Sequence, residues 1–537
     1  MTDVQALEGH APEPTEERKL HLGWALVLIS MAQLMVVLDA SIANIALPFI
    51  GEDLNIDSAN LTWIVTGYAL AFGGLLLLGG RLGDLYGRRR VFMTGLIIFA
   101  VASLLGGIAQ NEGLLLASRG LQGLGAALAS PAALALITTT FPAGPARNRA
   151  FAVYAAMSGA GAAVGLILGG WLTGTNPDIL GLSVDGWRLT FLINVPIGLI
   201  AASLAPRFLN ESESHPGWLD IPGAITGTAG LLGLVYGFSR AGEEAHGWGD
   251  TWTIASLAAG VVLLGVFAFI ESRVEHPLLP VRVFANRTRA TSFLVMALVP
   301  AAMFAMFYFL SLFIQLVVGY SPLRTGFSFL PFSFGIVIGA GLSSNLVNRI
   351  NPRFIAGIGT LMAAAALVGF SRLDVPHSTA DLLAVAQGGP ALGADVNYWA
   401  SIFPFIILMS VGMGMVFVPL TLTAVHHLRA EDSGIGSGVL NTMQQVGGAL
   451  GLAILGTVSL HYADDTKSAL AGDLIAKGLP PKDAGTLAFL GSFTEGATAA
   501  FLVGAILIAL GSAAIWAFLN VKHEELATDG PEGIHVG

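Results

Sequence analysis

The sequence predicts an all-α polytopic membrane protein with fourteen transmembrane helices, arranged as six, two and six. Three observations lead to this prediction. The composition is too apolar for a water-soluble surface, fourteen apolar stretches have the length needed to span a bilayer, and the basic residues are unevenly distributed between the intervening loops.

The composition excludes a soluble protein. Of the 537 residues, 54% are hydrophobic and 11% are charged, whereas about 25% of residues are charged in an average soluble domain. The 68 glycines suit membrane helices, because glycine lets two helix backbones approach closely. The chain has no cysteine, so disulfide and thiol chemistry are excluded.

A spanning helix needs about 20 mostly apolar residues. Fourteen stretches satisfy this requirement, and the sixth and seventh are interrupted by proline. The predicted spans lie near residues 23–48, 61–80, 91–109, 114–141, 150–173, 189–206, 220–239, 252–271, 290–315, 323–347, 353–371, 399–425, 434–459 and 496–520.

Basic residues give the expected orientation, because cytoplasmic loops carry an excess of lysine and arginine. With a cytoplasmic N terminus, 17 of the 25 lysines and arginines fall on the cytoplasmic side, among them Arg88, Arg89 and Arg90. The external side then holds the Glu52–Asp53 pair and two long loops, 372–398 and 460–495. We therefore expect both termini to lie in the cytoplasm.

A weak internal repeat predicts two equivalent halves. The loop from Gly80 to Arg88 between spans two and three shares its spacing with Gly341 to Arg349 between spans ten and eleven. Two six-helix halves about a central cavity are typical of transporters. The predicted organisation is a disordered cytoplasmic tail at 1–21, a first bundle at 22–210, an inserted helix pair with linkers at 211–289, a second bundle at 290–520 and a cytoplasmic tail at 521–537.

Two charged residues lie deep within the spans. Asp39 is about nine residues from the outer end of span one, hence roughly 13 Å deep at 1.5 Å per residue. Arg119 lies in span four at a comparable estimated depth. Since charges inside a bilayer are costly and normally face a cavity or a partner, we expect the two to form a protonation-sensitive pair or to share a water network. The alternatives are a structural carboxylate that pins helix one and a snorkelling arginine.

Several motifs resemble the major facilitator superfamily in its fourteen-span drug:proton antiporter branch. They are the Gly80–Arg90 loop, the run from Leu38 to Pro48, the run from Arg119 to Gly125, and Gly161, Gly165, Gly169 and Gly170 at exporter-motif spacing. The runs 129–142 and 144–148 are similar to the mycobacterial EfpA-type efflux pumps. This resemblance implies that the protein lies in the inner membrane of a bacterial cell. One position departs from the family pattern, because Leu166 stands where the exporter motif usually has proline.

The resemblance implies roles for some of these residues. It assigns Arg119 to proton-coupled transport and Asp84, with Arg88, to a conformational switch, for which a plain helix-end role is the alternative. The glycines 161, 165 and 169 share one helix face, so we expect them mainly to let helix five pack tightly on a neighbour.

The substrate surface is predicted from residue types alone. Flexible thioethers, aromatic rings and polar groups inside spans suit varied amphipathic ligands, although such residues are more often core or lipid-facing. The candidates for the cavity are Met31, Gln33, Met35, Gln122, Phe307, Gln315, Asn441 and Gln444.

These features predict a proton-coupled antiporter that exports amphipathic drugs or lipid-like molecules by alternating access, a function linked to multidrug efflux and antibiotic resistance. Its expected partners are a small amphipathic substrate, protons and membrane lipids, with no nucleic acid, cofactor or metal. A proton-coupled importer of a small nutrient is one alternative. A membrane-embedded enzyme is another, although the sequence contains no His-Glu-x-x-His or Gly-x-Ser-x-Gly motif.

Overall fold

The structure is a computed structural model that describes residues 16–142, 145–179, 182–212, 219–242, 246–275, 277–347, 349–425 and 433–528. Within these residues the chain is helical apart from connecting segments and one two-residue β hairpin. The helices and strands are α1 (Glu16–Asp53), α2 (Ser58–Tyr86), α3 (Arg88–Gly107), α4 (Glu112–Thr140), α5 (Pro145–Thr173), β1 (Asp178–Ile179), β2 (Leu182–Ser183), α6 (Gly186–Leu192), α7 (Asn194–Phe208), α8 (Ile221–Ala241), α9 (Thr251–Glu271), α10 (Arg287–Leu312), α11 (Pro322–Leu346), α12 (Pro352–Phe370), α13 (Thr379–Ala386), α14 (Tyr398–Ser401), α15 (Phe403–Val425), α16 (Ser433–Ala476), α17 (Pro481–Phe518) and α18 (His523–Thr528).

Thirteen helical stretches within the described residues are long and apolar enough to cross a bilayer. The remaining predicted span coincides with α5, in which Ala163–Thr173 is a shorter apolar stretch. The predicted sixth span begins earlier than expected and consists of α6 and α7, which join at Ile193 without leaving helical dihedral angles. Residues 1–15, Gly144 of the resemblance run and Asn348 of the repeat lie outside the described residues.

The helix pairings of the first six spans recur in the last six, as the six-two-six prediction requires. In the first bundle, α1 packs on α5 and α7, α4 packs on α2 and α3, and α3 packs on α7. The corresponding pairs of the second bundle are α10 with α16 and α17, α15 with α11 and α12, and α12 with α17. Two further pairs, α2 with α16 and α5 with α11, join the bundles to each other.

The inserted pair, α8 and α9, lies beside this assembly. Its inner helix α8 packs against α2 and α16, and the hydroxyl of Thr228 donates to the carbonyl of Gly74 at 3.3 Å. The turn between the two helices is held by Arg240, whose Nε donates to Asp250 at 2.8 Å. This hydrogen bond holds the pKa of Asp250 below its ordinary value, because it stabilises the charged carboxylate.

The two predicted long external segments contain helices. Residues 460–495 continue α16 and α17 as two helical extensions, and residues 372–398 contain α13. Leu470, Ala484 and Leu382, from these three helices, are buried. Residues 460–495 contain six alanines and six leucines, which favour helix.

The two bundles share their main hydrophobic core near one end, and a small cluster of α2, α8 and α16 residues adds to this contact. We call the end that carries Arg88, Arg89 and Arg90 the basic face, and the end with the α1–α2 turn the opposite face. Residues of the first bundle near the opposite face, including Ile45 and Ile64, belong to one cluster with the second bundle. Among the described residues, those nearer the basic face, such as Phe92, form a cluster confined to the first bundle. The structure is therefore closed at the opposite face.

Candidate functional site

The two deep charges are in direct contact. Arg119 on α4 donates from Nη1 to Asp39 Oδ2 on α1 at 2.6 Å, and the side chains are only 1% and 3% exposed. A buried pair of this kind requires further hydrogen bonds, because desolvation costs each ion several kcal/mol.

Neighbouring polar side chains supply those hydrogen bonds. Gln122 Nε2 and Asn194 Nδ2 each donate to Asp39 Oδ1 at 3.0 Å. Gln122 also accepts from Arg119 Nη1 at 2.9 Å and donates to the Ser103 hydroxyl at 2.8 Å. Asp39 is thus a carboxylate with donors on both oxygens, and the donors come from α4 and α7.

Arg119 also contacts α2 at two points. Its Nε donates to the backbone carbonyl of Ile64 at 2.7 Å. The guanidinium carbon lies 4.5 Å from the centre of the Tyr68 ring, a favourable cation–π arrangement. The network therefore connects α1, α2, α3, α4 and α7.

The structure corrects two cavity assignments. Gln122 is fully buried and belongs to the Asp39 network, so it does not line a cavity in this conformation. Met35 is also fully buried and packs in the core of the first bundle near Gly198. Helix periodicity explains Gln122, because a residue three positions after Arg119 lies on the same face of α4.

The other cavity candidates have mixed environments. Gln33 is half-buried and accepts from the Tyr154 hydroxyl at 2.7 Å, which links α1 to α5. Gln315 is buried in a π-helical turn and donates to the Ser311 hydroxyl at 3.1 Å. Phe307 is half-buried against two aromatic rings, those of Phe329 and Phe332.

Three candidates remain accessible. Met31 and Gln444 are half-buried, and Asn441 is exposed. These positions, with Gln33, keep the cavity prediction open, and they lie on α1 and α16.

The basic turn between α2 and α3 forms a second polar cluster. Arg88 donates to Asp84 at 3.2 Å, and both side chains are partly exposed. The sequence prediction missed Glu211, which follows α7 and accepts from the backbone N–H of Arg89 at 3.0 Å. Gly87 has φ +98°, and a Cβ there would lie 2.7 Å from a Glu211 carboxylate oxygen, so glycine permits this close approach.

The counterpart of Asp84 in the repeat has a different environment. Asn345 donates to the carbonyl of Gly341 in its own helix at 2.9 Å. The repeat therefore preserves the position of the turn and not its ion pair.

Three glycines of α5 face α1, as their spacing predicts. A Cβ at Gly161 would lie 3.2 Å from Val37 atoms, and at Gly165 it would lie 3.1 Å from the carbonyl of Leu38. Gly169 approaches Ile42 to a similar distance. Gly170, on another face, instead meets Pro322 and Leu323 of α11.

We expect Gly165→Leu to lower the stability of the first bundle by about 1–3 kcal/mol, because the new side chain would overlap the α1 backbone next to Asp39. Thermal unfolding in nanodiscs would measure the loss. Gly265→Leu is the matched control, since nothing lies within 4 Å of a Cβ built at Gly265. Equal melting temperatures for the two variants would contradict the proposed packing role.

A family model described as the Major Facilitator Superfamily matches residues 29–452. The chain belongs to the major facilitator superfamily. This membership confirms the predicted fold class and makes the protein a multi-pass membrane transporter.

Curated members of the superfamily align with most of this chain. Puromycin resistance protein pur8 of Streptomyces alboniger is 42% identical over 443 residues, which cover 81% of each chain. The cephamycin export protein CmcT of Amycolatopsis lactamdurans is 38% identical, with 81% of this chain and 84% of its own covered. EfpA of Mycobacterium tuberculosis, an uncharacterized MFS-type transporter, is 37% identical over 437 residues that cover 81% of this chain and 76% of its own. The predicted similarity to EfpA-type proteins is confirmed.

Solved structures support the same fold. A bacterial homolog of the human lysosomal transporter Spinster, in an inward-facing and unoccupied conformation, aligns with a TM-score of 0.64 and 17% identity. The alignment covers 97% of this chain and all of that chain. At this identity the likeness establishes the superfamily fold alone.

Proposed function

We propose that this superfamily member is a proton-coupled antiporter that exports amphipathic drugs or lipid-like small molecules. The single observation that carries the proposal is the buried Asp39–Arg119 pair. In this pair a carboxyl group that can bind a proton connects α1 to α4 of the first bundle. Relatives named for puromycin resistance and cephamycin export support the substrate class.

The mechanism follows from the charges of the network. When a proton binds Asp39, the carboxylate becomes a neutral acid and loses its Coulomb attraction to Arg119. Arg119 stays protonated, so its guanidinium must then rely on the Ile64 carbonyl, Gln122 and water. Protonation therefore changes the relative stability of two bundle arrangements, and a ligand or proton shifts a conformational equilibrium by its differential affinity for the two states.

Orientation completes the proposal. Because basic loops face the cytoplasm, we place the basic face in the cytoplasm and the opposite face outside. The bundles join at the opposite face through α1 and α10, where the Ser311 hydroxyl donates to the Asn44 carbonyl at 3.1 Å. This arrangement corresponds to an inward-facing state of an alternating-access cycle.

A liposome assay tests both coupling and direction. For an antiporter, an acidic lumen drives uptake of radiolabelled puromycin, because protons leave as the drug enters. A symporter requires an acidic exterior instead. This result does not depend on the orientation of the reconstituted protein, and protein-free liposomes correct for passive partition of a weak base.

We expect uptake above the protein-free level with an acidic lumen, and loss of that uptake when a protonophore collapses the gradient. Uptake driven by an acidic exterior would instead establish an importer. Uptake that ignores both gradients would contradict proton coupling.

A further inference from the structure

Two buried carboxyl groups meet at the basic-face end of the inserted helix pair. Asp220 immediately precedes α8 and Glu271 is the last residue of α9, and they are 5% and 4% exposed. Both lie far from the Asp39 network in the fold, because α8 and α9 stand beside the first bundle.

Each carboxyl group uses one oxygen to accept a backbone hydrogen bond. Asp220 Oδ1 accepts from the N–H of Gly223 at 2.8 Å, and Glu271 Oε2 accepts from the N–H of Leu279 at 2.8 Å. The other oxygens, Asp220 Oδ2 and Glu271 Oε1, are shielded from solvent and have no partner among the described residues.

These two unpartnered oxygens face each other across Gly223. A Cβ built on Gly223 would overlap Asp220 Oδ2 and would lie 2.9 Å from Glu271 Oε1. The two carboxyl groups therefore converge on one point beside Gly223. A side chain at position 223 would therefore separate them.

Within the part of the chain that the structure describes, no basic side chain forms an ion pair with either carboxyl group. Arg273 directs its guanidinium to the Phe269 ring, 5.2 Å from the ring centre, and Glu275 is exposed. Besides α9, the helices α2 and α16 pack on α8. In α2, Asp84 accepts from Arg88, and Arg81 is half-buried without an ion pair to Asp220 or Glu271. Residues 433–459 of α16 contain no charged side chain. His276 lies outside the described residues.

Two ionised carboxylates in this position would repel each other, and each would leave a buried oxygen without a donor. One proton held between the oxygens removes one charge and provides the missing hydrogen bond. We propose that Asp220 and Glu271 share one proton, so that this end of the inserted pair is a proton-binding site separate from Asp39.

The shared proton has a structural consequence. Leu279, whose N–H binds Glu271, lies in the segment 272–286 that joins α9 to α10, the first helix of the second bundle. The pair thus connects the start of α8, the end of α9 and this joining segment through hydrogen bonds. Loss of the proton at raised pH separates the carboxylates and loosens the segment. The inference does not depend on proton-coupled export.

Infrared spectroscopy of the full chain in nanodiscs tests the protonation directly. At pH 7 we expect a carbonyl band of a protonated carboxylic acid, and we expect Glu271→Gln and Asp220→Asn each to lose the intensity of one acid group. In both variants an amide donates the hydrogen bond, so the remaining carboxyl is ionised. Glu275→Gln, an exposed neighbour, is the matched control and keeps the band. An unchanged band in Glu271→Gln would overturn the proposal.

Hydrogen–deuterium exchange of residues 277–286 provides a second readout. After correction for the intrinsic pH dependence of exchange, the wild-type segment should exchange faster as pH rises, whereas Glu271→Gln should show no such rise. The same rise in both proteins would overturn the proposal. Suppression of the rise by added sodium or calcium ions would also overturn it, in favour of a bound cation.

Discussion

Replacing Asp39 by asparagine is expected to abolish pH-driven transport and to lower the free energy of unfolding by about 3–5 kcal/mol, the usual cost of removing one partner of a buried ion pair. The shape of the side chain is retained, so packing does not change. The loss arises because Arg119 keeps its charge in a site that is 1% exposed and loses its only anionic partner among the described residues. Denaturation in mixed micelles and uptake into liposomes with an acidic lumen measure the two effects.

The double variant Asp39→Leu/Arg119→Met separates stability from coupling. Removing both charges together avoids an unpaired buried ion, although Gln122 and Asn194 lose an acceptor. We therefore expect a smaller loss of stability than in Asp39→Asn, with no pH-driven transport. Full transport by this variant, or by Asp39→Asn, would contradict a coupling role for the pair.

A second ion pair of the same bundle is the control. Arg188 donates to Asp53 at 2.8 Å near the opposite face, and both side chains are partly exposed, at 18% and 34%. Solvent-exposed pairs contribute about 0–1 kcal/mol. Asp53→Asn should therefore cost less than about 1 kcal/mol and should retain transport, which shows that the effect at Asp39 comes from burial.

The central pair was predictable because charges inside apolar spans are rare and expensive, so two at similar depth indicate a partnership. The surrounding network was less accessible from the sequence. Gln122 is polar, but polarity does not say whether a side chain turns to the bundle interior or to the cavity between bundles. Its spacing from Arg119 is the signal that favours the interior. Ser103 and Asn194 carry no such signal, because short polar side chains are common in membrane helices.

The membrane-spanning helices were predictable because hydrophobicity determines them. The helical segments outside the apolar stretches were not. Thirteen described spans and α5 match the fourteen predicted stretches. The helical extensions of α16 and α17 were missed because a hydropathy window detects contact with lipid, whereas these extensions pack on each other and on α13. Glu211 was missed for a related reason, because its partners at the α2–α3 turn lie about 120 residues away in sequence.

The second large effect is expected from a substitution at the contact between α5 and α11. A Cβ built at Gly170 would lie 2.5 Å from the carbonyl oxygen of Pro322 and 2.7 Å from the Cα of Leu323. The two backbones thus touch only because this residue has no side chain. In an alternating-access cycle this contact must break when the opposite face opens.

We therefore expect Gly170→Leu to disfavour the closed arrangement by about 1–3 kcal/mol, which corresponds to a shift of roughly 5–150-fold between the two states. Transport should fall by a similar factor, because the cycle cannot readily return to the state that is closed at the opposite face. The protein should remain folded, since the substitution leaves the packing within each bundle unchanged.

The absence of native cysteine makes the shift measurable with one introduced thiol. Ser311 is fully buried at the seam between the bundles, so Ser311→Cys should resist a membrane-impermeant maleimide in the otherwise wild-type chain. Adding Gly170→Leu should expose the thiol to reagent at the opposite face, while Gly265→Leu should leave it protected because that position faces open space. A thiol that stays protected although transport is lost would contradict this prediction. In that case the contact between α5 and α11 at Gly170 does not hold the opposite face closed.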